Sequence, residues 1–184
     1  MTTRDLGLLA AALMLAIGCA GSTQGGGGAQ TPPVRIEETV MIDTIAGLCR
    51  QLSRDPVSIE DVAASLGEVV AGLDEGPGLA VRPRDAGFAS ALVVPMPDTR
   101  APAVVQLELV GAGTLQVKHL SAAFGSYRAL RVHGLGAPPR VGFRVDDAGL
   151  PYTCMVMADV KPGPDGVADG DVIAIEVRRD PRLD

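Results

Sequence analysis

The sequence is poor in aromatic residues, with three Phe, two Tyr and no Trp among 184 residues. A hydrophobic core must therefore be built from aliphatic side chains, and the 47% of apolar residues is enough to supply one. Basic residues are also few: 16 Lys and Arg stand against 22 Asp and Glu, which leaves a net charge of −6. Because no basic patch is available to follow a phosphate backbone, we expect no nucleic-acid partner.

Histidine and cysteine are scarce as well, with two His and three Cys. A zinc site needs three or four convergent Cys or His side chains, and nucleophilic catalysis needs a base beside its nucleophile. His119 falls in a predicted helix, His133 at a loop or strand end, and Cys154 in the middle of a predicted strand. We therefore expect no catalytic residues, no zinc site and no cofactor, and a protein that is not an enzyme.

No apolar run is long enough to span a bilayer as a helix, which takes about 20 residues. The run at residues 6–17 has 12 residues, the length of a secretory signal peptide's apolar region. It ends in Ala16-Ile17-Gly18-Cys19, which resembles the lipobox of bacterial lipoproteins. Residues 1–18 are therefore expected to be a signal peptide.

The lipobox resemblance implies cleavage before Cys19 and acylation of its sulfur and its new amino group. Two or three acyl chains would then hold the protein firmly on a membrane. The next residue is Ala20 rather than Asp, which favours the outer membrane over the inner membrane of the cell envelope. The alternative is an ordinary secreted protein with a cysteine near its cleavage site.

A Gly- and Pro-rich segment, residues 19–33, is expected to be a flexible tether between the lipid and one folded domain at residues 34–184. In an exported protein the two remaining cysteines, Cys49 and Cys154, are free to form a disulfide. They are 105 positions apart, so the sequence leaves open whether they are bonded or are two buried thiols.

Apolar residues at helical spacing predict a first helix around residues 41–52, ended by Pro56. Ser58 is a suitable cap for a second helix, whose apolar face we expect to continue through Val69 and Val70. A third helix is predicted within residues 114–125. Alternating patterns between turn signals predict six strands, at residues 79–84, 88–95, 104–110, 140–145, 152–160 and 172–178.

The order of these elements suggests an internal repeat, with one helix and three strands in residues 57–110 and again in 114–179. Three matches support it, at offsets of 58, 64 and 68 positions: Val62–Gly67 with Leu120–Gly125, Phe88 with Tyr152, and Val104–Leu109 with Val172–Val177. We therefore predict an α+β fold in two layers, with helices on one face of an antiparallel sheet of about six strands.

This pattern resembles two families of small bacterial proteins, the β-lactamase inhibitory proteins and the outer-membrane assembly lipoproteins of the BamE/SmpA type. The matching segments are Asp61-Val62 to Leu66-Gly67 and His119-Leu120 to Phe124-Gly125. The resemblance implies a binding scaffold. Inhibitory proteins grip an enzyme with an aromatic-rich concave sheet, and the few aromatics here argue against that role.

Two groups of carboxylates are candidates for sites. Asp165, Asp169 and Asp171 lie in an Asp- and Gly-rich loop that is a weak candidate for calcium, although Asp-Gly pairs are also common in hairpin turns. Glu108 and Glu176 occupy equivalent strand positions and are expected, with Gln106 and Ala174, on a solvated face of the sheet.

The leading hypothesis is a lipid-anchored envelope protein that binds another protein through this exposed face. Two alternatives remain open at this point. One is a carrier that holds a small apolar ligand between helices and sheet, and the other is an enzyme of the periplasm.

Overall fold

A computed structural model describes residues 36–132, 134, 136–147 and 149–182. The predicted signal peptide, Cys19 and the tether at residues 19–33 lie outside the described residues, as does His133.

The described residues form three helices, which precede or interrupt the strands: α1 (Ile36–Leu52), α2 (Ile59–Leu66) and α3 (Val117–Phe124). The hydroxyl of Ser58 accepts a hydrogen bond from the backbone N–H of Asp61 at 3.0 Å, and it caps α2 as the sequence predicts. No helix among the described residues has both the length and the apolar character needed to cross a membrane.

The strands form one antiparallel sheet. In chain order they are β1 (Gly67–Ala71), β2 (Leu79–Pro83), β3 (Phe88–Pro95), β4 (Pro102–Leu109), β5 (Arg128–Leu130), β6 (Arg140–Val145), β7 (Tyr152–Gly163) and β8 (Gly166–Pro181). Their order across the sheet is β1-β2-β3-β4-β8-β7-β6-β5. The α+β class is thus confirmed, but the sheet has eight strands and the predicted number of about six is wrong.

The two additional strands, β1 and β5, are the edges of the sheet. The expectation that Val69 and Val70 extend the second helix is wrong, because α2 ends at Leu66 and the chain turns at Gly67 into β1. Gly67 pairs with Pro83, and a β-carbon on Gly67 would collide with the backbone oxygen of Arg82. Strand β5 has three residues, too few for an alternating pattern to be seen in the sequence.

The core lies between the helices and one face of the sheet. Helix α1 contributes Met41, Ile45 and Leu52, which are fully buried, and the central strands contribute side chains such as Leu107 and Ile175. Few aromatic rings are available, and three of them gather in one place. Phe143 packs against Phe124 and Tyr127 with ring centroids 6.3 and 6.1 Å apart.

One arginine is buried on the helix side of the sheet. The Arg179 guanidinium carbon lies 3.4 Å from the ring centroid of Tyr152, and its Nη2 lies 3.2 Å from a carboxylate oxygen of Asp55. Its Nε and Nη1 have no hydrogen-bond partner among the described residues. The ring face and the single carboxylate therefore compensate this buried charge only in part.

Because the neighbouring strand lies so close to Gly67, a methyl group added there should lower stability more than a methyl group added at an open position. We expect Gly67→Ala to lower the free energy of unfolding by about 1–3 kcal/mol, as overpacking does elsewhere. Gly72→Ala is the matched control, because a β-carbon at Gly72 meets nothing within 4 Å. Urea denaturation measures both variants, and equal stability of the two would contradict the close packing of β1 against β2.

Candidate functional site

The face of the sheet turned away from the helices is the most extensive candidate for a binding site, and we call it the open face. Successive side chains of a strand point to opposite faces, and the strand register places these residues together on one side. Its central members are Ser90, Leu92, Val94, Val104, Gln106, Glu108, Arg140, Arg144, Met155, Met157, Asp159, Ala174, Glu176 and Arg178.

Charged groups on the open face are held in fixed pairs. Arg140 makes two hydrogen bonds to the carboxylate of Asp159, at 2.7 and 2.9 Å, and its Nη1 lies 3.6 Å from Glu176. The hydrogen bond to Asp159 raises the pKa of Arg140 above its ordinary value. A two-pronged contact of this kind fixes the orientation of both side chains as well as their charge.

Two further pairs lie on either side of this cluster. Ser90 donates a hydrogen bond to Glu108 at 2.8 Å, and Arg178 donates one from Nη2 to Asp180 at 2.9 Å, while its Nε lies 2.8 Å from the other carboxylate oxygen. The polar groups of the open face are therefore largely preorganised, which reduces the entropy that a partner must remove on binding.

Apolar side chains flank the polar centre on both sides. One row crosses the sheet from Leu92 through Gln106 and Glu176 to Met157, each residue opposite the next. The next row carries Val94, Val104, Arg178 and Met155 in the same way. A surface with hydrogen-bonding groups in the middle and aliphatic and thioether groups beside them suits another protein surface.

A shallow cavity marks one end of the open face. It has a volume of about 260 Å³ and is lined by Arg144, Thr153, Met155, Asp180 and Pro181. The hydroxyl of Thr153 donates to the neighbouring Asp146 at 2.9 Å and is the main cause that lowers the pKa of that carboxyl. The lining of the cavity therefore combines charged, hydroxyl and apolar groups.

Sequence reasoning found part of this face. Gln106, Glu108, Ala174 and Glu176 lie together on the open face, where Gln106 is opposite Glu176 and Glu108 is opposite Ala174. It did not single out Arg140, Asp159 or the two methionines of β7. The sequence does contain a signal for these β7 residues. Every second position from 153 to 159 lies on one face of the strand, and the residues between them are apolar.

His119 lies away from this face, at the start of α3. Its Nδ1 atom is 2.7 Å from a carboxylate oxygen of Glu38, which is only 5% exposed. No local pattern pointed to Glu38, because the two residues meet only when α1 packs beside α3. Among the described residues, no Ser, Thr or Cys side chain is hydrogen-bonded to this imidazole.

The two remaining cysteines are joined in a disulfide, with their Cα atoms 5.3 Å apart. Both are buried, and the bond connects α1 to β7. In this state Cys154 is not a free thiol, so it cannot act as a nucleophile or bind a metal.

The three aspartates of the weak calcium candidate lie in different surroundings. Asp165 lies in the turn between β7 and β8, Asp169 is 3.9 Å from the ammonium of Lys118, and Asp171 accepts a hydrogen bond from the side chain of Gln116. Across the described residues, no three carboxylate, imidazole or thiol groups converge as a metal site would require.

Buried side chains from the helices and from the sheet form one cluster between the two layers. A cavity of about 290 Å³ lies between α1 and α3, lined in part by Ala46, Arg50, Phe124 and Asp147. Its lining includes the charged side chains of Arg50 and Asp147, which is unlike the mostly apolar pocket that an apolar ligand prefers.

Comparison with known proteins gives no relative: no protein-family model, curated protein or solved structure matches this chain.

The disulfide predicts a large effect of reduction on stability. Disulfides typically contribute about 2–4 kcal/mol, chiefly by restricting the unfolded chain. We expect the Cys49→Ala/Cys154→Ala double variant to lose that amount in urea denaturation. Reductant should destabilise the wild-type domain to a similar degree and leave the double variant unchanged. Equal stability of the oxidised wild type and the variant would contradict the bond.

Proposed function

We propose that this chain is a lipid-anchored protein of the bacterial cell envelope whose folded domain binds another protein through the open face. The observation that carries the proposal is the composition of that face, with fixed ion pairs at its centre and half-buried Leu92, Val94 and Met155 beside them. A single protein partner with a mixed polar and apolar surface would complement it.

The disulfide supports a location outside the cytoplasm. Disulfides persist in the periplasm and at cell surfaces, whereas the cytoplasm keeps most thiols reduced. The buried bond between Cys49 and Cys154 therefore agrees with the signal peptide expected at residues 1–18. Acylation of Cys19, and a place in the outer membrane, belong to the same proposal.

We also propose that the domain arose by duplication of a unit with one helix and four strands. Each half of the sheet is a meander of four strands in sequence, β1 to β4 and β5 to β8, and each follows a short helix. Both helices have eight residues and end at a glycine whose N–H bonds the carbonyl four residues earlier, Gly67 to Ala63 and Gly125 to Ser121.

The register between β4 and β8 supports this duplication. Leu107 and Ile175, the residues matched at an offset of 68, lie directly opposite each other. Two residues related by a twofold axis between antiparallel strands must meet in this way. The neighbouring pairs obey the same rule. Glu108 lies opposite Ala174, and their counterparts at the offset of 68, Glu176 and Gln106, also lie opposite each other.

The register also changes one detail of the repeat. Ala91 lies opposite Leu107, and Ala158 lies opposite Ile175, so β3 and β7 are related by an offset of 67. A β-bulge follows Phe88, which lies opposite Leu109, and Val156 lies opposite Val177, so in the proposed duplication Phe88 corresponds to Val156 at an offset of 68 and the match of Phe88 with Tyr152 differs from this by four positions.

The lipid anchor predicts labelling that depends on one sulfur. Cells grown with radioactive palmitate should yield a labelled wild-type protein and an unlabelled Cys19→Ala variant. Cys49→Ala/Cys154→Ala is the control and should retain the label, because its Cys19 is intact. Label that survives Cys19→Ala, or a wild type that takes up none, would contradict the anchor and leave the fold unaffected.

The binding face predicts contacts that depend on position. A photocrosslinking amino acid at Gln106 or Ala174 should give, in cells, the same single adduct with one protein. The control position is Val40, which is exposed but lies on α1, on the other side of the sheet.

A charge placed in the apolar flank should weaken the same complex. We expect Leu92→Asp to reduce the Gln106 adduct at least several-fold, while Val40→Asp leaves it unchanged. Adducts that form equally at all three crosslinker positions, or that survive Leu92→Asp, would contradict a specific role for the open face. Circular dichroism establishes that each variant is folded.

A further inference from the structure

Met155 stands between two arginines on the open face. In the strand register it lies directly opposite Arg178 of β8 on one side and directly opposite Arg144 of β6 on the other. Residues opposite each other in an antiparallel pair have their β-carbons about 4.5–5.5 Å apart, close enough for long side chains to meet. Both guanidinium groups are therefore neighbours of the Met155 thioether.

The thioether is also accessible from solvent. Met155 is half-buried, and together with Arg144 it lines the cavity of about 260 Å³ at the end of the open face. A molecule of a few atoms can enter a cavity of this size, since one water molecule takes up about 30 Å³ of liquid. The cavity thus brings a thioether and a guanidinium together at a place that a small reagent can reach.

Carboxylates hold the two guanidinium groups in place. The Nε atom of Arg144 lies 2.8 Å from Asp146, and Nη2 of Arg178 donates a hydrogen bond to Asp180 at 2.9 Å. A guanidinium carries five N–H donors, so a contact with one carboxylate does not use them all. Each arginine is therefore positioned by its carboxylate and keeps the capacity to donate to a further acceptor.

The other described methionines lie in different surroundings. Met41 and Met157 are buried, with 0% and 7% exposure, and Met96 lies in the turn between β3 and β4. Met157 belongs to the open face, but its neighbours across the ladders are Glu176 and Gly142. Among the described residues, Met155 is thus the methionine that combines access from solvent with an arginine directly opposite on each side.

Oxidation of a thioether by hydrogen peroxide develops negative charge on the departing oxygen. A lone pair of the sulfur attacks one peroxide oxygen, the O–O bond breaks, and hydroxide departs. The hydroxide then takes the proton from the transferred oxygen, which gives the sulfoxide and water. Sulfur loses two electrons and the peroxide gains them. Hydrogen-bond donors aimed at the departing oxygen stabilise this transition state because the charge develops there.

We propose that Met155 is a site of oxidation by peroxide, at which Arg144 and Arg178 stabilise the departing hydroxide. The guanidinium groups donate hydrogen bonds in this step and keep their protons. The product is a polar sulfoxide in place of an apolar thioether, and methionine sulfoxide reductases reverse it. Met155 is therefore a reversible modification site within the open face.

The consequence for binding rests on the proposed function, whereas the oxidation itself does not. A partner on the open face would cover Met155, so peroxide reaches the sulfur in the free domain. The sulfoxide then has to be buried against an apolar part of the partner, which is unfavourable unless its oxygen finds a hydrogen bond there. Oxidation of the free domain thus opposes binding.

Peroxide oxidation of the purified protein, with its disulfide intact and no partner present, tests the assignment. Mass spectrometry follows the sulfoxide at Met155, and Met96 in the same molecules is the internal reference for exposure to peroxide. We expect Arg144→Gln and Arg178→Gln each to slow the oxidation of Met155 several-fold relative to Met96. Arg144→Lys should restore part of the rate, because an ammonium group also donates hydrogen bonds.

The sign of the change separates assistance from shielding. If the arginines only cover the sulfur, shortening them exposes it and oxidation becomes faster. A faster or unchanged rate at Met155 in either glutamine variant would overturn the proposal.

Two controls accompany these variants. Arg82→Gln should leave the rate at Met155 unchanged, since Arg82 pairs with Glu68 on the outer two strands at the other end of the sheet. Met157 is buried, so its oxidation should stay slow in every folded variant, and a rise there would report a loss of structure.

Discussion

The pairing of β4 with β8 is the interaction on which the rest of the structure depends. It joins two meanders of four strands that have no other shared ladder among the described residues. Leu107 and Ile175, opposite each other at its centre, are both buried under the helices. The residues next to them, Gln106 and Glu108, point the other way and begin the open face. One ladder therefore fixes the core and the candidate binding surface together.

A one-sided covering of the sheet follows from the supply of apolar residues. Three helices carry enough aliphatic side chains to cover one face, and the disulfide holds the longest of them, α1, against β7. The other face keeps its charges in pairs such as Arg140 with Asp159. These pairs contribute little to stability where they are exposed, but they give the face a defined pattern that a partner can recognise.

The sequence predicted the elements whose periodicity is long enough to detect. Helix α1 and the six strands other than β1 and β5 show it over at least five residues, and the α+β class followed from their order. Strands β1 and β5 were not predicted. Strand β1 follows α2 directly at Gly67, and β5 has only three residues. Two sets of contacts were not predicted for another reason. They are the contact of Glu38 with His119 and the contacts of Arg179 with Asp55 and Tyr152. They join residues distant in the chain, and no local pattern encodes such a meeting.

The central claim is that a protein covers the open face in the cell, and oxidative footprinting of methionine measures this directly. Met155 lies on that face and is partly accessible, while Met96 lies just beyond β3 and has similar accessibility. Hydroxyl radicals convert an accessible methionine to its sulfoxide, which mass spectrometry quantifies. The account predicts that Met155 is oxidised much less in intact cells than in the purified protein, with Met96 oxidised equally in both. Equal oxidation of Met155 in the two conditions would contradict it.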